Sequence, residues 1–80
     1  MTDTWHVYII RCADDTLYTG ITKNVDKRIQ KHNAGNGAKY TKGRLPVKLV
    51  YKQKVGSYSA ALKREHQIKS LPRKEKLAML

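Results

Sequence analysis

The sequence predicts an α+β fold, a small three-stranded antiparallel sheet flanked by helices in the order β-β-α-β-α-α, as one domain over residues 1–80. Three short runs rich in β-branched and aromatic residues predict the strands. Elsewhere apolar residues recur three or four apart, which is typical of amphipathic helices. With 80 residues, of which 40% are hydrophobic, the chain is long enough for one small core and too short for two.

The first two strands are predicted to form a hairpin. The run WHVYIIRCA, residues 5–13, is largely apolar on both faces, which indicates a central strand. Asp14 and Asp15 then mark a turn, and LYTGIT, residues 17–22, is the predicted return strand.

The length of the hairpin loop decides whether Tyr8 and Tyr18 lie on the same face of the sheet. Side chains alternate along a strand, so a two-residue loop would separate the two tyrosines. We predict a three-residue loop over residues 13–15, or an equivalent bulge, which pairs Tyr8 with Gly20 and Tyr18 with Ile10. Gly20 would then leave room beside the Tyr8 hydroxyl, since it has no side chain.

A helix and a basic loop are predicted to follow the hairpin. Asn24 is a suitable N-cap for VDKRIQKHNA, residues 25–34, and Gly35 is placed to end that helix. The segment GNGAKYTKGRLP, residues 35–46, is rich in glycine and basic residues, which predicts a loop with one helical turn.

The last part of the chain predicts one more strand and two helices. Residues 47–55, VKLVYKQKV, indicate a strand at an edge of the sheet, where lysines protect it from pairing with other chains. Ser57 can cap a helix that runs to about Ser70, and Pro72 begins a short terminal helix.

Charge is the strongest compositional signal. The formal net charge is +11. Residues 1–22 contain one Arg and three Asp and have a net charge of −2, so residues 23–80 have a net charge of +13. This asymmetry favours a polyanionic partner, most often nucleic acid, over a basic surface that serves only solubility. The longest apolar run is VYII, and the sequence shows no leader in which a charged segment precedes an apolar one. We therefore expect a cytoplasmic protein with no membrane partner.

Glu65 is an unexpected acid in so basic a chain, because it falls in the middle of the predicted second helix on an apolar stripe. The residues of the stripe are Tyr58, Ala61, Leu62 and Ile68. A carboxylate in such a place is costly unless it is paired or binds a ligand. An ion pair with Lys69 one turn later and one with Arg28 across the core are both open structural explanations.

Four further side chains are candidates for the same site. Arg28 and His32 lie one turn apart beside the buried face of the first helix, and Tyr8 and Tyr18 come from the hairpin. Each alone has an ordinary structural explanation, as a solvated arginine, a helix-end histidine or a strand aromatic. Together they favour a catalytic site.

The combination of these side chains favours metal-assisted phosphodiester hydrolysis. A guanidinium can bind a phosphate in bidentate geometry and stabilise its transition state. A carboxylate can hold a hard ion such as Mg²⁺ that keeps most of its waters, and a tyrosine or histidine can orient or deprotonate a water. One carboxylate fits one ion, Mg²⁺ or Mn²⁺, because two-metal sites need several acids.

The sequence resembles the GIY-YIG nuclease family over nearly its whole length. HVY at residues 6–8 and YTG at residues 18–20 resemble the paired signature of that family, and Arg28, His32 and Glu65 follow in the expected order. The stretches LYTGIT and HNAGNGAKYT are similar to those of its small bacterial single-domain members. His6, Val7 and Thr19 depart from the signature at backbone and packing positions.

The resemblance implies a role for each candidate. Tyr8 would help to deprotonate the attacking water, Tyr18 would orient water or phosphate, and Arg28 would bind the scissile phosphate. Glu65 would hold Mg²⁺ or Mn²⁺, and His32 would assist the base or contact phosphate. A free tyrosine has a pKa of about 10, so Tyr8 would need help from a metal-bound water or a nearby cation.

Nucleic-acid binding is expected from basic side chains of the loop, the third strand and the second helix. The candidates are Lys39, Lys42, Arg44, Lys48, Lys63 and Arg64, with Tyr40 as a base-stacking or loop-pinning residue. Larger family members carry extra DNA-recognition domains that have no counterpart in this chain. We therefore expect binding that depends strongly on salt and weakly on sequence.

The sequence thus predicts a metal-dependent endonuclease that hydrolyses DNA with little sequence specificity, in repair or turnover. The alternative is a DNA- or RNA-binding module with little or no catalysis, although such a module gains nothing from a carboxylate that faces phosphate. We expect no small-molecule cofactor. A monomer is expected, with a homodimer through the exposed edge strand as the alternative.

Overall fold

A computed structural model of the chain, which describes residues 4–80, confirms the predicted fold class. Its antiparallel sheet has the order β2-β1-β3, with the first strand in the centre as predicted. The strands are β1 (Trp5–Arg11), β2 (Leu17–Thr22) and β3 (Lys48–Gly56). Both outer strands are therefore edges, and β3 carries the lysines expected of one.

Within residues 4–80 four helices accompany the sheet, and two of them begin directly after the predicted caps Asn24 and Ser57. The four helices are α1 (Val25–Asn33), α2 (Lys39–Lys42), α3 (Tyr58–Lys69) and α4 (Arg73–Ala78). The Asn24 side chain accepts a hydrogen bond from the Lys27 amide, and that of Ser57 accepts one from Ala60. Gly35 follows α1 with a φ of 83°, a conformation that glycine adopts without strain.

The hairpin has the predicted register. Tyr8 pairs with Gly20, and Ile10 pairs with Tyr18, so the two tyrosines share a face. The Cys12 amide donates to Thr16 O at 2.8 Å, which closes a three-residue loop that ends with Asp15 at a φ of 68°.

The two faces of the sheet carry separate cores. One core contains Tyr8, Ile10, Cys12, Val25 and Val47, and α1 covers it. The other contains Val7, Ile9, Ala61 and Ile68, and α3 covers it. Each buried Val or Ile contributes about 1.5–3 kcal/mol to folding, so the four aliphatic residues at 7, 9, 10 and 68 hold both helices to the sheet.

No helix within residues 4–80 is long and apolar enough to cross a membrane.

Candidate functional site

Tyr8 and His32 join the central strand to α1 by a buried hydrogen bond. Tyr8 Oη lies 2.9 Å from His32 Nε2, and both side chains have no solvent exposure. Gly20 makes this position of Tyr8 possible, because a Cβ there would lie 2.5 Å from Oη. The Tyr8 hydroxyl therefore lies over β2, an edge strand of the sheet.

His32 lies deeper than the sequence indicated, since its ring is wholly inside the protein rather than at the edge of the core. On its far side, Nδ1 lies 2.9 Å from Thr41 Oγ1, and the Thr41 hydroxyl donates to Ala38 O at 2.9 Å. The Ala38 amide approaches Nδ1 at 3.4 Å, a weaker contact. The short contacts fit a ring with its proton on Nδ1 and with Nε2 free to accept from Tyr8.

Burial holds both members of this pair in their neutral forms. The pKa of His32 is lowered by burial and then by the Arg28 charge. The pKa of Tyr8 is raised above 10.0, chiefly by burial, although the Arg28 guanidinium beside its hydroxyl acts in the opposite direction. At neutral pH the pair is therefore a tyrosine hydroxyl and a neutral imidazole.

Arg28 lies on α1 one turn before His32, half-buried and close enough to act on both partners of the hydrogen bond. Its Nε is buried and has no hydrogen-bond partner among the described residues. A buried N–H without an acceptor is costly, and a phosphate oxygen is one acceptor that would satisfy it.

Glu65 lies on α3, and its partners are an ion pair and a charge effect on Tyr8. Its side chain is 19% exposed and pairs with Lys69 Nζ at 3.4 Å, the first of the two ion pairs considered from the sequence. Its charge contributes to the raised pKa of Tyr8, so the carboxylate lies within electrostatic reach of the Tyr8 hydroxyl. Four of the predicted catalytic residues thus lie together, namely Tyr8, Tyr18, Arg28 and His32. Glu65 is linked to them by the effect of its charge on Tyr8.

The apolar stripe predicted around Glu65 is only half buried. Ala61 and Ile68 have no solvent exposure, but Tyr58 is 53% and Leu62 is 40% exposed. The sheet covers one side of α3 and leaves the other side open. The predicted stripe is therefore apolar along its length but buried only on the side that faces the sheet.

Tyr18 connects this cluster to the basic loop. Its ring contacts His32 edge-on at 5.6 Å between centroids and stacks on Tyr40 at 5.7 Å with an interplanar angle of 24°. The Arg44 guanidinium lies 4.2 Å over the Tyr40 ring. Tyr40 is thereby held against the site, which fits the loop-pinning role considered for it from the sequence.

The remaining basic candidates are spread over the surface. Lys39 and Lys42 are exposed on α2 beside Tyr40. Arg44 Nε lies 2.9 Å from Asp14 Oδ2, an ion pair in which the N–H is not directed at the oxygen. Lys48 lies at the hairpin end of the sheet, opposite Arg11.

Lys63 and Arg64 differ in surroundings although they are neighbours on α3. Lys63 is exposed. Arg64 Nε donates to Gln53 Oε1 of β3 at 2.9 Å, and its Nη1 donates to Gln67 at 3.3 Å. Arg64 therefore lies over β3, and β3 is separated from β2 by the central strand.

Thr41 and His6 were not identified from the sequence. Thr41 is wholly buried against His32, but its position depends on the path of a loop, for which the sequence has no periodic signal. His6 lies two residues before Tyr8 on the same face, which strand alternation could have shown. Its Nδ1 is buried and has no hydrogen-bond partner among the described residues.

A metal ion would find one carboxylate here. Residues 4–80 contain no group of three or more His, Cys, Asp or Glu side chains that could hold a metal. Glu65 offers the hard oxygen ligand that Mg²⁺ prefers, and Mg²⁺ characteristically keeps waters and binds substrate phosphates as its other ligands. The donor set fits one ion that is held jointly with substrate and does not fit a preformed metal cage.

Comparison with known proteins adds independent evidence. The sequence profile of the GIY-YIG catalytic domain matches residues 4–78. The chain is 58% identical over 71 residues to a UPF0213 protein of Natronomonas pharaonis, with 89% of this chain and 84% of that protein covered. It is 55% identical over 75 residues to a UPF0213 protein of Staphylococcus haemolyticus, with 94% and 92% covered.

Two solution NMR structures are also similar. One is a UPF0213 protein of Bacillus halodurans, with a TM-score of 0.61 and 43% identity over 95% of this chain and 81% of that one. The other is a protein of E. faecalis, with a TM-score of 0.62 and 30% identity over 99% and 88%.

Proposed function

Because the chain belongs to the GIY-YIG catalytic domain family and to the UPF0213 group of small bacterial and archaeal proteins, we propose that it is a nuclease. It would be a divalent-metal-dependent endonuclease that hydrolyses phosphodiester bonds of DNA. Because it would bind DNA through contacts to the phosphate backbone, it would have little sequence specificity. It would serve DNA repair or turnover. We further propose that it acts in the cytoplasm as a single-domain monomer.

The observation that carries this proposal is the buried hydrogen bond between Tyr8 and His32. Neutral His32 can accept the Tyr8 proton at Nε2 while Tyr8 Oη takes a proton from the attacking water. This relay avoids a free tyrosinate, which burial disfavours. It places a positive charge on His32, which burial and Arg28 also disfavour, so the negative charge of a bound phosphate would have to offset it. The hydrogen bond thus supplies the help that an ordinary tyrosine base lacks.

The other side chains would position the phosphate. Arg28, with its unpartnered Nε, would bind the scissile phosphate and stabilise the charge that develops on it. Tyr18 would orient water or phosphate beside His32. Glu65 would hold one Mg²⁺ or Mn²⁺, which when bound would supply positive charge to the phosphate and its leaving oxygen.

The test is cleavage of labelled single-stranded and duplex DNA at low salt with Mg²⁺, Mn²⁺ or EDTA. Glu65→Ala should abolish metal-dependent cutting and leave binding in place. Glu75→Ala is the matched control, because it removes a helical acid from α4. Cutting that persists in EDTA, or that Glu65→Ala leaves intact, would contradict the proposal.

The ion pair between Glu65 and Lys69 favours a second candidate, a nucleic-acid-binding module in which Glu65 is structural. Such a protein would bind DNA or RNA tightly and cut neither with any metal. In that case Glu65→Ala would lower stability by about 0.2–0.5 kcal/mol, as expected of a helical ion pair, and would leave function unchanged.

A further inference from the structure

The open side of α3 carries exposed apolar side chains in line with Glu65. Tyr58 and Leu62 are seven and three residues before Glu65, and residues at such spacings lie on the same side of a helix. They are 53% and 40% exposed, although side chains of this size gain most from burial. The surface of α3 beside Glu65 is thus apolar and uncovered.

Trp5 extends this surface onto the sheet. Its ring packs against Tyr58 edge-to-face, with centroids 4.8 Å apart at 64°. Lys23 Nζ lies 5.5 Å from the centre of the Trp5 ring, so a cation borders the aromatic pair. We refer to Trp5, Tyr58 and Leu62 as the aromatic strip.

The distance of the strip from Glu65 corresponds to a few nucleotides. At 1.5 Å per residue, Leu62 lies roughly 5 Å and Tyr58 roughly 10 Å from Glu65 along the axis of α3. A stacked strand advances about 3.4 Å per nucleotide. A strand whose phosphate lies at Glu65 would therefore bring its next one to three bases over the strip.

We infer that the aromatic strip binds unpaired bases that flank the scissile phosphate, an inference that rests on the proposed function. Aromatic surfaces beside cations bind single strands by stacking, and the bases of an intact duplex have no free faces to offer. The substrate is then a single strand, or a strand end or junction that is splayed at the cut.

The net charge of the chain favours a nucleic acid over a second copy of the chain as the partner of the aromatic strip. Residues 23–80, which contain Tyr58 and Leu62, carry a net +13, and two such chains repel each other. A polyanion is attracted by the same charge. Because the strip lies beside Glu65 on α3, a nucleic acid whose phosphate is held at Glu65 reaches the strip as well.

The experiment is binding of a labelled oligo-dT single strand and of a duplex of equal length, by fluorescence anisotropy in EDTA so that no cutting occurs. Tyr58→Ala and Leu62→Ala should each weaken single-strand binding, Tyr58→Ala by about 5- to 100-fold, and change duplex binding less than twofold. Tyr58→Phe keeps the ring and should bind as the wild type does. Leu77→Ala, which removes a 38% exposed leucine from α4, is the matched control.

Three results would overturn the inference. First, Tyr58→Ala and Leu62→Ala could bind the single strand as tightly as Leu77→Ala does. Second, these two variants could lose affinity for the single strand and for the duplex to the same extent. Sedimentation could instead show a wild-type dimer that Tyr58→Ala dissociates, which would assign the strip to a second copy. Failure of the nuclease proposal looks different, because the wild type would then cut nothing while Tyr58→Ala still lost single-strand binding.

Discussion

Tyr8 Oη and His32 Nε2 lie 2.9 Å apart, although the two residues are 24 positions apart in the chain. Both side chains are completely buried. The bond links the central strand of the sheet to the C-terminal end of α1. It also joins a hydroxyl whose pKa is raised to an imidazole whose pKa is lowered, so neither partner is charged at rest. A proton can pass along this bond only when another group gives one to Tyr8.

Replacing Tyr8 by Phe removes the hydroxyl and leaves the ring. We expect kcat to fall by about 10²–10⁴-fold, the range for loss of a general base. DNA binding should change little, because the phosphate contacts remain. Tyr51→Phe is the control, since it removes a tyrosine hydroxyl that donates to Gln53 on the other face of the sheet. Equal loss of activity in both variants would contradict the role of Tyr8.

The lowered pKa of His32 predicts a pH-dependent stability. In the unfolded chain His32 takes up a proton near pH 6.5, whereas in the folded protein it stays neutral to a lower pH. Unfolding therefore binds a proton in that window, and the free energy of unfolding should fall as the pH is lowered from about 7 towards 5. Denaturant unfolding at several pH values measures how the free energy of unfolding depends on pH.

One variant tests whether His32 is the source. His32→Gln should flatten the pH dependence of stability. A wild-type protein whose stability rises towards pH 5 would show that the pKa of His32 is raised instead.

Gly20 should tolerate no side chain. A Cβ at this position would lie 2.5 Å from Tyr8 Oη and 2.6 Å from Cζ, so Gly20→Ala has to displace the Tyr8 ring. We expect a loss of about 1–3 kcal/mol in the free energy of unfolding, as for other overpacked cores, together with loss of cleavage. Gly43→Ala has free space around its Cβ and should change neither quantity. Thermal unfolding and the cleavage assay read out the two effects.

The hairpin register was predictable because it depends on local rules. Strand alternation and an odd loop length are enough to put Tyr8 and Tyr18 on one face, and Gly20 under the hydroxyl. The starts of α1 and α3 were predictable for the same reason, because the side chains of Asn24 and Ser57 cap them within one turn.

The surroundings of α3 and of the loop were not predictable in this way. A helical wheel shows that Tyr58 and Leu62 lie near Ala61, but which side the sheet covers depends on how the helix docks. The contact of Arg44 with Asp14 joins residues 30 positions apart through a loop without periodicity. Such long-range contacts follow from the whole fold and leave no mark in a short stretch of sequence.

The exposed lysines of α2 should control the salt dependence of DNA binding. On duplex DNA the slope of log K against log salt changes by about 0.9 for each phosphate contact. Lys39→Ala and Lys42→Ala should each reduce the slope by about that amount, and Lys74→Ala on α4 should leave it unchanged. Arg44→Ala should also lower stability, because Arg44 holds Asp14 and the Tyr40 ring. Unchanged slopes in both α2 variants would exclude phosphate contacts there.

Thr41 is expected to act as a positioning residue through His32. Its hydroxyl lies 2.9 Å from His32 Nδ1 and donates to Ala38 O, so it fixes the tautomer that leaves Nε2 open to Tyr8. Thr41→Val has the same shape without the hydroxyl. It should lower kcat by about tenfold or more with little change in KM, and lower stability by about 1–3 kcal/mol because Nδ1 loses its partner.

A purely structural role for Thr41 would give a different pattern. Thr41→Ser restores the hydroxyl in a smaller side chain, so it should recover kcat even though it leaves a small cavity. The pH dependence of kcat should also shift in Thr41→Val and return in Thr41→Ser, because the hydrogen bond at Nδ1 sets the basicity of Nε2. If activity followed only the melting temperature across the three proteins, Thr41 would be a core residue without influence on the reaction.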